Sequence, residues 1–232
     1  MIRRPLPASG GEPGNARLTA WTGVLLLGLL LVEVGTLFDL DGLITWHVCV
    51  GVLLGPPVLL KIATTGWRML RYYAGQPAYR RAGPPPPALR VLGPLLVLCT
   101  LLVLGTGAAL VALGPQAAAA PLLTVGGTGV TALDLHKVAG VSFVPVIAVH
   151  VLARVRPALR RTGIGRPRVP GRAARAAVLP LALAAGIVAA VLVLPATGPW
   201  TGSPSDQAAG SSAWTTRAAR SGSGRSPVIS PR

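Results

Sequence analysis

The sequence predicts an all-α polytopic membrane protein, in which two related helical hairpins form a four-helix bundle followed by a fifth transmembrane helix. Hydrophobic residues make up 51% of the 232 residues and charged residues only 12%, about half the share usual in a soluble domain. The apolar residues come in runs long enough to span a bilayer, and arginine clusters separate these runs. In addition, a short pattern that contains histidine occurs twice.

Composition divides the chain into five segments. They are a disordered arm at 1–17, a four-helix bundle at 18–155 with hairpins at 18–70 and 89–155, a basic loop at 156–175, a fifth transmembrane helix at 176–195, and a disordered tail at 196–232. The arm and the tail are too polar to bury a core. The first apolar run is too long for the core of a signal peptide. Pro56-Pro57 predicts a kink in the second helix.

The repeated pattern is H-x3-G-V-x3-P, followed after four more residues by lysine or histidine. Its first copy is His47–Lys61 and its second is His136–His150, an offset of 89 residues. Upstream, Gly35-Thr36 matches Gly105-Thr106 at an offset of 70, so the second copy has 19 extra residues between its helices. This spacing indicates a duplicated two-helix hairpin. Chance matching of Gly, Val and Pro in apolar sequence is the alternative.

The placement of the arginines predicts an orientation. The N-terminal arm and the loops after the second and fourth helices are arginine-rich, whereas the other two loops carry one cation, Lys137. By the positive-inside rule, the N-terminus is cytoplasmic and the C-terminal tail is outside a plasma membrane. Topology therefore explains the net charge of +16, and no nucleic-acid partner is expected. Two cysteines without a CxxC or CxxCH motif give no support to a thiolate metal site or to covalently attached haem.

Two histidines are candidate ligands. His47 and His136 lie near the start of the second and fourth helices, at matching depth close to the outer face. Gly51 and Gly140 follow four residues later on the same helical face and leave a groove beside each imidazole. Facing imidazoles flanked by glycine can hold a flat macrocycle, and histidine is an axial ligand of haem iron. The pattern predicts one haem b at this outer site. Interfacial histidines bonded to backbone or water are the alternative.

His136 and His150 are 14 residues apart, which returns to nearly the same helical face about 21 Å along the axis. In this spacing the first four helices, residues 18–155, resemble the bundled b-type cytochromes, including respiratory cytochrome b and the cytochrome b561-like proteins. Those proteins use paired histidines to hold two haems, one near each face. The resemblance implies electron transfer, with membrane lipid around the chain and an external redox protein or quinone as partner. Whether the chain is an enzyme stays open.

The chain departs from these cytochromes at Lys61, where a two-haem protein has histidine. Three outcomes stay open. The inner haem is absent, with Lys61 reaching the headgroups and His150 interfacial; or His150 alone binds it; or His150 binds it together with a neutral Lys61. The first outcome is preferred, because Lys61 lies near the inner end of its helix and reaches the headgroups at little cost.

Glu33 is the one acidic residue well inside a predicted span, on the same side as the two outer histidines. A carboxyl group at such a depth indicates a function. Glu33 is expected to accept the second N–H of an outer imidazole, as carboxylates beside metal-bound histidines do. A proton carrier, or a neutral acid beside Thr36, are the alternatives.

Two other classes of function stay open. The first is a non-redox membrane scaffold or assembly protein. The second is an outer-face protein that binds a divalent metal, since Zn²⁺ accepts imidazole and carboxylate ligands together. Its carboxylates would come from Asp39, Asp41 and Asp134, although Asp134 also suits the N-cap of the fourth helix.

Overall fold

The structure is a computed structural model that describes residues 11–84, 87–162 and 172–202. The elements in chain order are α1 Gly11–Thr36, a 3-10 turn Leu37–Asp39, α2 Leu40–Tyr73, the short α3 Pro77–Arg81, α4 Pro87–Ala118, strands β1 Pro121–Val125 and β2 Thr128–Thr131, α5 Ala132–Thr162 and α6 Arg172–Thr201. The predicted helical bundle is confirmed. Within the described residues, the short helix α3 and a short β-hairpin between α4 and α5 are additions to the predicted elements.

Four helical stretches of the described chain are long and apolar enough to cross a membrane. They are Gly11–Tyr73, Pro87–Ala118, Ala132–Arg160 and Ala177–Thr201. The first of them has 63 residues because it contains both α1 and α2, which fold back on each other. Large apolar side chains cover the outside of the bundle, and several of them are more than 70% exposed: Val91, Val141, Leu152 and Leu192. An exposed apolar surface of this extent suits contact with lipid.

Helices α1 and α2 form an antiparallel hairpin. Three contacts fix its register: Asn15 Nδ2 donates to the Thr64 carbonyl at 2.9 Å, Lys61 Nζ donates to the Thr19 carbonyl at 2.5 Å, and Glu33 Oε1 lies 3.1 Å from His47 Nδ1. The start of α1 therefore lies beside the end of α2. Helix α2 is continuous through Pro56 and Pro57, the pair for which a kink was expected.

The four helices of the two hairpins form a ring. Helix α1 packs against α2 and α5, and α4 packs against α5 and α2. Consequently α2 and α5 lie diagonally across the bundle, and side chains on their inner faces meet near its central axis. This diagonal arrangement is what brings the two copies of the histidine pattern together.

Helix α6 packs along the outer side of α2, in the opposite direction. Thr45 Oγ1 donates to Thr197 Oγ1 at 3.4 Å, and Cys49 Sγ donates to the Ala190 carbonyl at 3.8 Å. Between the two helices Gly186 is buried, and a Cβ atom placed on it would lie only 2.6 Å from the Leu53 carbonyl oxygen. The backbones of α2 and α6 can approach this closely because residue 186 has no side chain.

Gly186→Ala is therefore expected to destabilise the protein by about 1–3 kcal/mol, because the added methyl group must push α6 away from α2. Gly28→Ala is the matched control. Gly28 is exposed in α1, with no neighbouring atom within 4 Å of its Cβ position. Alanine is the better helix former by up to about 1 kcal/mol, so this control should be neutral or stabilising. Thermal unfolding in detergent measures both, and equal shifts would contradict the close packing of α6.

The segment between α4 and α5 differs most from expectation. Helix α4 breaks at Gly114, whose φ of 73° is left-handed. Strands β1 and β2 then pair antiparallel across Gly126 and Gly127, both with positive φ. A Gly-Gly pair is a typical turn for a two-residue hairpin. The sequence predicts a loop in this segment.

Several helices extend beyond their predicted bounds. Helix α1 begins at Gly11, inside the segment predicted to be disordered, and α6 continues through Pro195 to Thr201. Other predictions lie outside the described residues. They concern the disordered arm at 1–10, the middle of the proline-rich loop at 85–86, the basic loop at 163–171 and the tail at 203–232.

Candidate functional site

The rings of His47 and His136 meet between the two diagonal helices. Their centroids are 6.3 Å apart and their planes make an angle of 74°. His47 is the eighth residue of α2 and His136 the fifth of α5, and because their rings lie beside each other the two histidines are at similar depth, as predicted. Both side chains are half-buried. The structure thus brings together the two histidines that occupy the first position of the repeated pattern.

Each imidazole is bonded to a threonine from the other helix of its own hairpin. Thr36 Oγ1 lies 3.0 Å from Nδ1 of His47, and Thr106 Oγ1 lies 3.0 Å from Nδ1 of His136. These are the two threonines that the 70-residue offset aligns. The duplication inferred from sequence therefore has a counterpart in side-chain contacts, at equal distances in both halves.

The threonine hydroxyls select the tautomer of both rings. Thr36 donates its hydroxyl hydrogen to the Glu33 carbonyl at 2.6 Å, and Thr106 donates its own to the Leu102 carbonyl at 2.7 Å. A hydroxyl has a single hydrogen, so its oxygen must accept from the histidine. Nδ1 of each ring is therefore the protonated nitrogen, and Nε2 keeps its lone pair. The His136 ring also lies within hydrogen-bonding reach of the Val103 carbonyl.

Glu33 distinguishes the first hairpin from the second. Its Oε1 lies 3.1 Å from Nδ1 of His47, so that this N–H is shared between the carboxyl group and Thr36. Oε2 is buried without a hydrogen-bond partner among the described residues. At the equivalent place the second hairpin has Val103. The contact predicted between Glu33 and an outer imidazole is thus present, and it is made to His47.

The glycines beside the histidines have unequal surroundings. A Cβ on Gly140 would have no neighbour within 4 Å, so the predicted space beside His136 is open on α5. A Cβ on Gly51 would lie 3.4 Å from Glu33 Oε1, so the carboxyl group partly fills the matching space on α2. On α4, Gly107 lies against the His136 ring, where a Cβ would approach Cε1 to 3.1 Å. Gly107 had not been recognised as part of the site.

The inner positions of the pattern do not form a second pair of ligands. Lys61 Nζ turns to α1, where it donates to the Thr19 carbonyl at 2.5 Å and lies against Gly23. The expected reach of this side chain to the headgroups is thus replaced by a contact inside the bundle. His150 is half-buried, and its Nδ1 has no hydrogen-bond partner in the described residues.

The aspartates near the outer end have structural partners. Asp39 is the N-cap of α2 and accepts from the Gly42 N–H at 3.2 Å. Thr131 is the residue before α5, and its side chain exchanges hydrogen bonds with Asp134, which forms a capping box. Asp134 is therefore the third residue of α5 rather than its N-cap. In residues 11–84, 87–162 and 172–202, no three His, Cys, Asp or Glu side chains form a group that could hold a metal ion.

The arrangement places two imidazole rings, each with its Nδ1 bonded to a threonine, beside each other between α2 and α5. The ring centroids are 6.3 Å apart, close enough for both rings to reach one metal ion at the ~2 Å metal–nitrogen distance of imidazole ligands. The residues present therefore fit a metal held at the centre of a flat macrocycle.

Sequence reasoning found the histidines and Glu33 but gave no role to Thr36, Thr106 and Gly107. A signal for the threonines was available, because both follow a glycine at the same offset in the two halves. Comparison with models of protein families, with characterised proteins and with solved structures finds no match to this chain.

Proposed function

We propose that the chain is an integral membrane b-type cytochrome that carries electrons. His47 and His136 would hold one haem b near the outer face. The observation that carries the proposal is the pair of imidazoles at 6.3 Å, each with its Nδ1 bonded to a threonine and its Nε2 left available. The resemblance to the bundled b-type cytochromes in histidine spacing supports the same class of protein.

Each part of the site has a defined task in this proposal. Thr36 and Thr106 fix the orientation and tautomer of the two imidazoles, and Gly140 leaves room for the face of the macrocycle. Glu33 shares the Nδ1 hydrogen of His47 and makes this ring the more electron-rich ligand. When bound, haem b takes up and releases single electrons, which would link an external redox protein to quinone in the membrane.

A reduced absorption spectrum tests the proposed function. The purified chain, reduced with dithionite, is expected to give a sharp b-type band that corresponds to about one haem per chain. A protein without this band but with bound Zn or Cu would be the divalent-metal protein. A protein with neither would be the non-redox scaffold. The metal alternative is weakened because Asp39 and Asp134 are engaged in helix caps.

The contact of Lys61 supports a single haem. A protonated amine has no lone pair for iron, and this one is bonded to the Thr19 carbonyl. The inner position of α2 therefore offers no ligand opposite His150. We propose that the inner site of the two-haem cytochromes is absent here, and that His150 does not bind haem.

The proposal includes five membrane spans: α1, α2, α4, α5 and α6. With the arginine-rich loops inside, a reporter fused after residue 200 should be active outside the cytoplasm, and one inserted in the loop at 80–87 should be active inside. Paired reporters of opposite compartment preference measure this. The reverse pattern would put His47 and His136 at the inner face, and an even number of spans would exclude the proposed arrangement.

A further inference from the structure

The end of the bundle opposite the histidine pair concentrates positive charge near its axis. Lys61 follows His47 by 14 residues, and His150 follows His136 by the same interval. Because the rings of His47 and His136 meet, Lys61 and His150 lie on the same sides of their helices about 21 Å further along the bundle. Arg154 is one turn beyond His150 on the same face of α5 and interacts electrostatically with both Lys61 and His150. We call Lys61, His150, Arg154 and Thr19 the inner cluster.

Polar atoms of the inner cluster are buried without partners. His150 Nδ1 and Thr19 Oγ1 each have no hydrogen-bond partner within the described residues, although both are shielded from solvent. Lys61 uses one of its three N–H groups on the Thr19 carbonyl. A buried polar atom without a partner costs roughly 1–3 kcal/mol. Such atoms indicate a place where a ligand with several acceptor oxygens belongs.

The acidic residues lie elsewhere. Glu33, Asp39, Asp41 and Asp134 belong to the outer half of the bundle, and Asp206 is outside the described residues. At the inner end the described chain has Glu12, seven residues before Thr19 and therefore about 10 Å away along α1. The inner cluster thus has cations and N–H or O–H donors in excess over carboxylates.

We propose that the inner cluster binds a phosphate-type oxyanion, carried by an anionic phospholipid headgroup or free in solution. A tetrahedral oxyanion presents three or more acceptor oxygens, which matches the remaining N–H groups of Lys61 and the unpartnered polar atoms of Thr19 and His150, with the charge of Arg154 beside them. Basic pockets between transmembrane helices on the cytoplasmic side bind anionic headgroups. The site depends on the membrane placement proposed above, but not on the binding of haem.

The test measures thermal unfolding in a neutral detergent, followed by tryptophan fluorescence. Phosphatidylglycerol is added, with phosphatidylcholine as the neutral lipid, and sodium phosphate is compared with sodium chloride at equal ionic strength. One of the two phosphate sources should raise the Tm of the wild-type protein by about 3 °C or more. A response to phosphatidylglycerol alone identifies a lipid site, and a response to sodium phosphate identifies a free-anion site.

Variants decide whether the inner cluster causes the shift. Lys61→Gln and Arg154→Gln should each lose most of it, and Lys61→Arg should keep it. Lys137→Gln is the matched control, because Lys61 and Lys137 are the only lysines in the sequence and Lys137 is exposed at the outer end. A full shift in both glutamine variants, or no shift with either phosphate source in the wild type, would overturn the proposal. Haem content is measured on the same samples. A protein that lacks haem but keeps the Tm shift would contradict the proposed cytochrome function and leave the oxyanion site standing.

Discussion

His47→Ala and His136→Ala are each expected to lower haem content from about one per chain to less than ~0.1, since six-coordinate ligation requires both imidazoles. The two rings meet across the bundle axis and each contributes one free nitrogen, so neither can replace the other. Haem per chain is measured from the reduced spectrum of the purified variants, with protein yield as a check on folding.

His150→Ala is the control for this pair. It removes an imidazole from the same helix as His136 but from the inner end of the bundle, and it should leave haem content near that of the wild type. Two results would contradict the proposed ligation. One is full haem content in either outer variant, and the other is a loss in His150→Ala as complete as that in His47→Ala.

Thr106→Val should weaken haem binding by roughly 10- to 100-fold, the range typical for groups that orient a metal-bound histidine. The variant keeps the shape of the side chain but removes the oxygen that lies 3.0 Å from Nδ1 of His136. Thr36→Val should have a smaller effect in the same direction, because Glu33 Oε1 also contacts Nδ1 of His47. Titration of the haem-free variants with haem measures both affinities.

Thr100→Val provides the comparison within α4. The hydroxyl of Thr100 donates to the Leu96 carbonyl at 2.6 Å, the same backbone contact that Thr106 makes, but it does not touch a histidine. Its replacement should leave haem affinity unchanged. If Thr106→Val behaved like Thr100→Val, the threonines would have no part in setting the tautomer.

The helices could be predicted from sequence because a long apolar run has few alternatives to a helix. The break near Leu113 was also predictable, since Gly114 is followed by proline. The β-hairpin was missed because its residues are small and nearly uncharged, which is typical of a loop. Its signal was local and specific: Gly126-Gly127 between short runs rich in threonine and valine.

The packing of α6 was beyond prediction from composition. Hydropathy identifies the helix, but the partner of α6 depends on one position, where Gly186 meets the Leu53 backbone. The sequence alone does not show which helix a glycine in an apolar run packs against. Helix α6 also extends beyond its predicted end at Pro195. Proline usually ends a helix, but within a membrane bundle a helix can continue past it.

The residues of the site also differ in how far the sequence predicts them. The repeat pointed to His47 and His136 because rare residues at equal positions are visible in a single sequence. The threonines that hold them were visible in the same alignment, yet threonine is common in membrane helices and carries no signal alone. The contact of Lys61 with the Thr19 carbonyl could not be foreseen, because it depends on how α1 approaches α2.

The direction of the two hairpins has a consequence for ancestry. Both hairpins enter the bundle from the same end, so the axis that relates them runs along the helices and passes between the rings of His47 and His136. A single ancestral hairpin, paired with its own copy about this axis, would have formed the whole site from one histidine and one threonine per subunit. Fusion of the two copies would then have allowed each half to change alone. The two halves now differ where Glu33 corresponds to Val103 and Lys61 to His150, and where α6 packs against α2; an identical pair could not have acquired these differences.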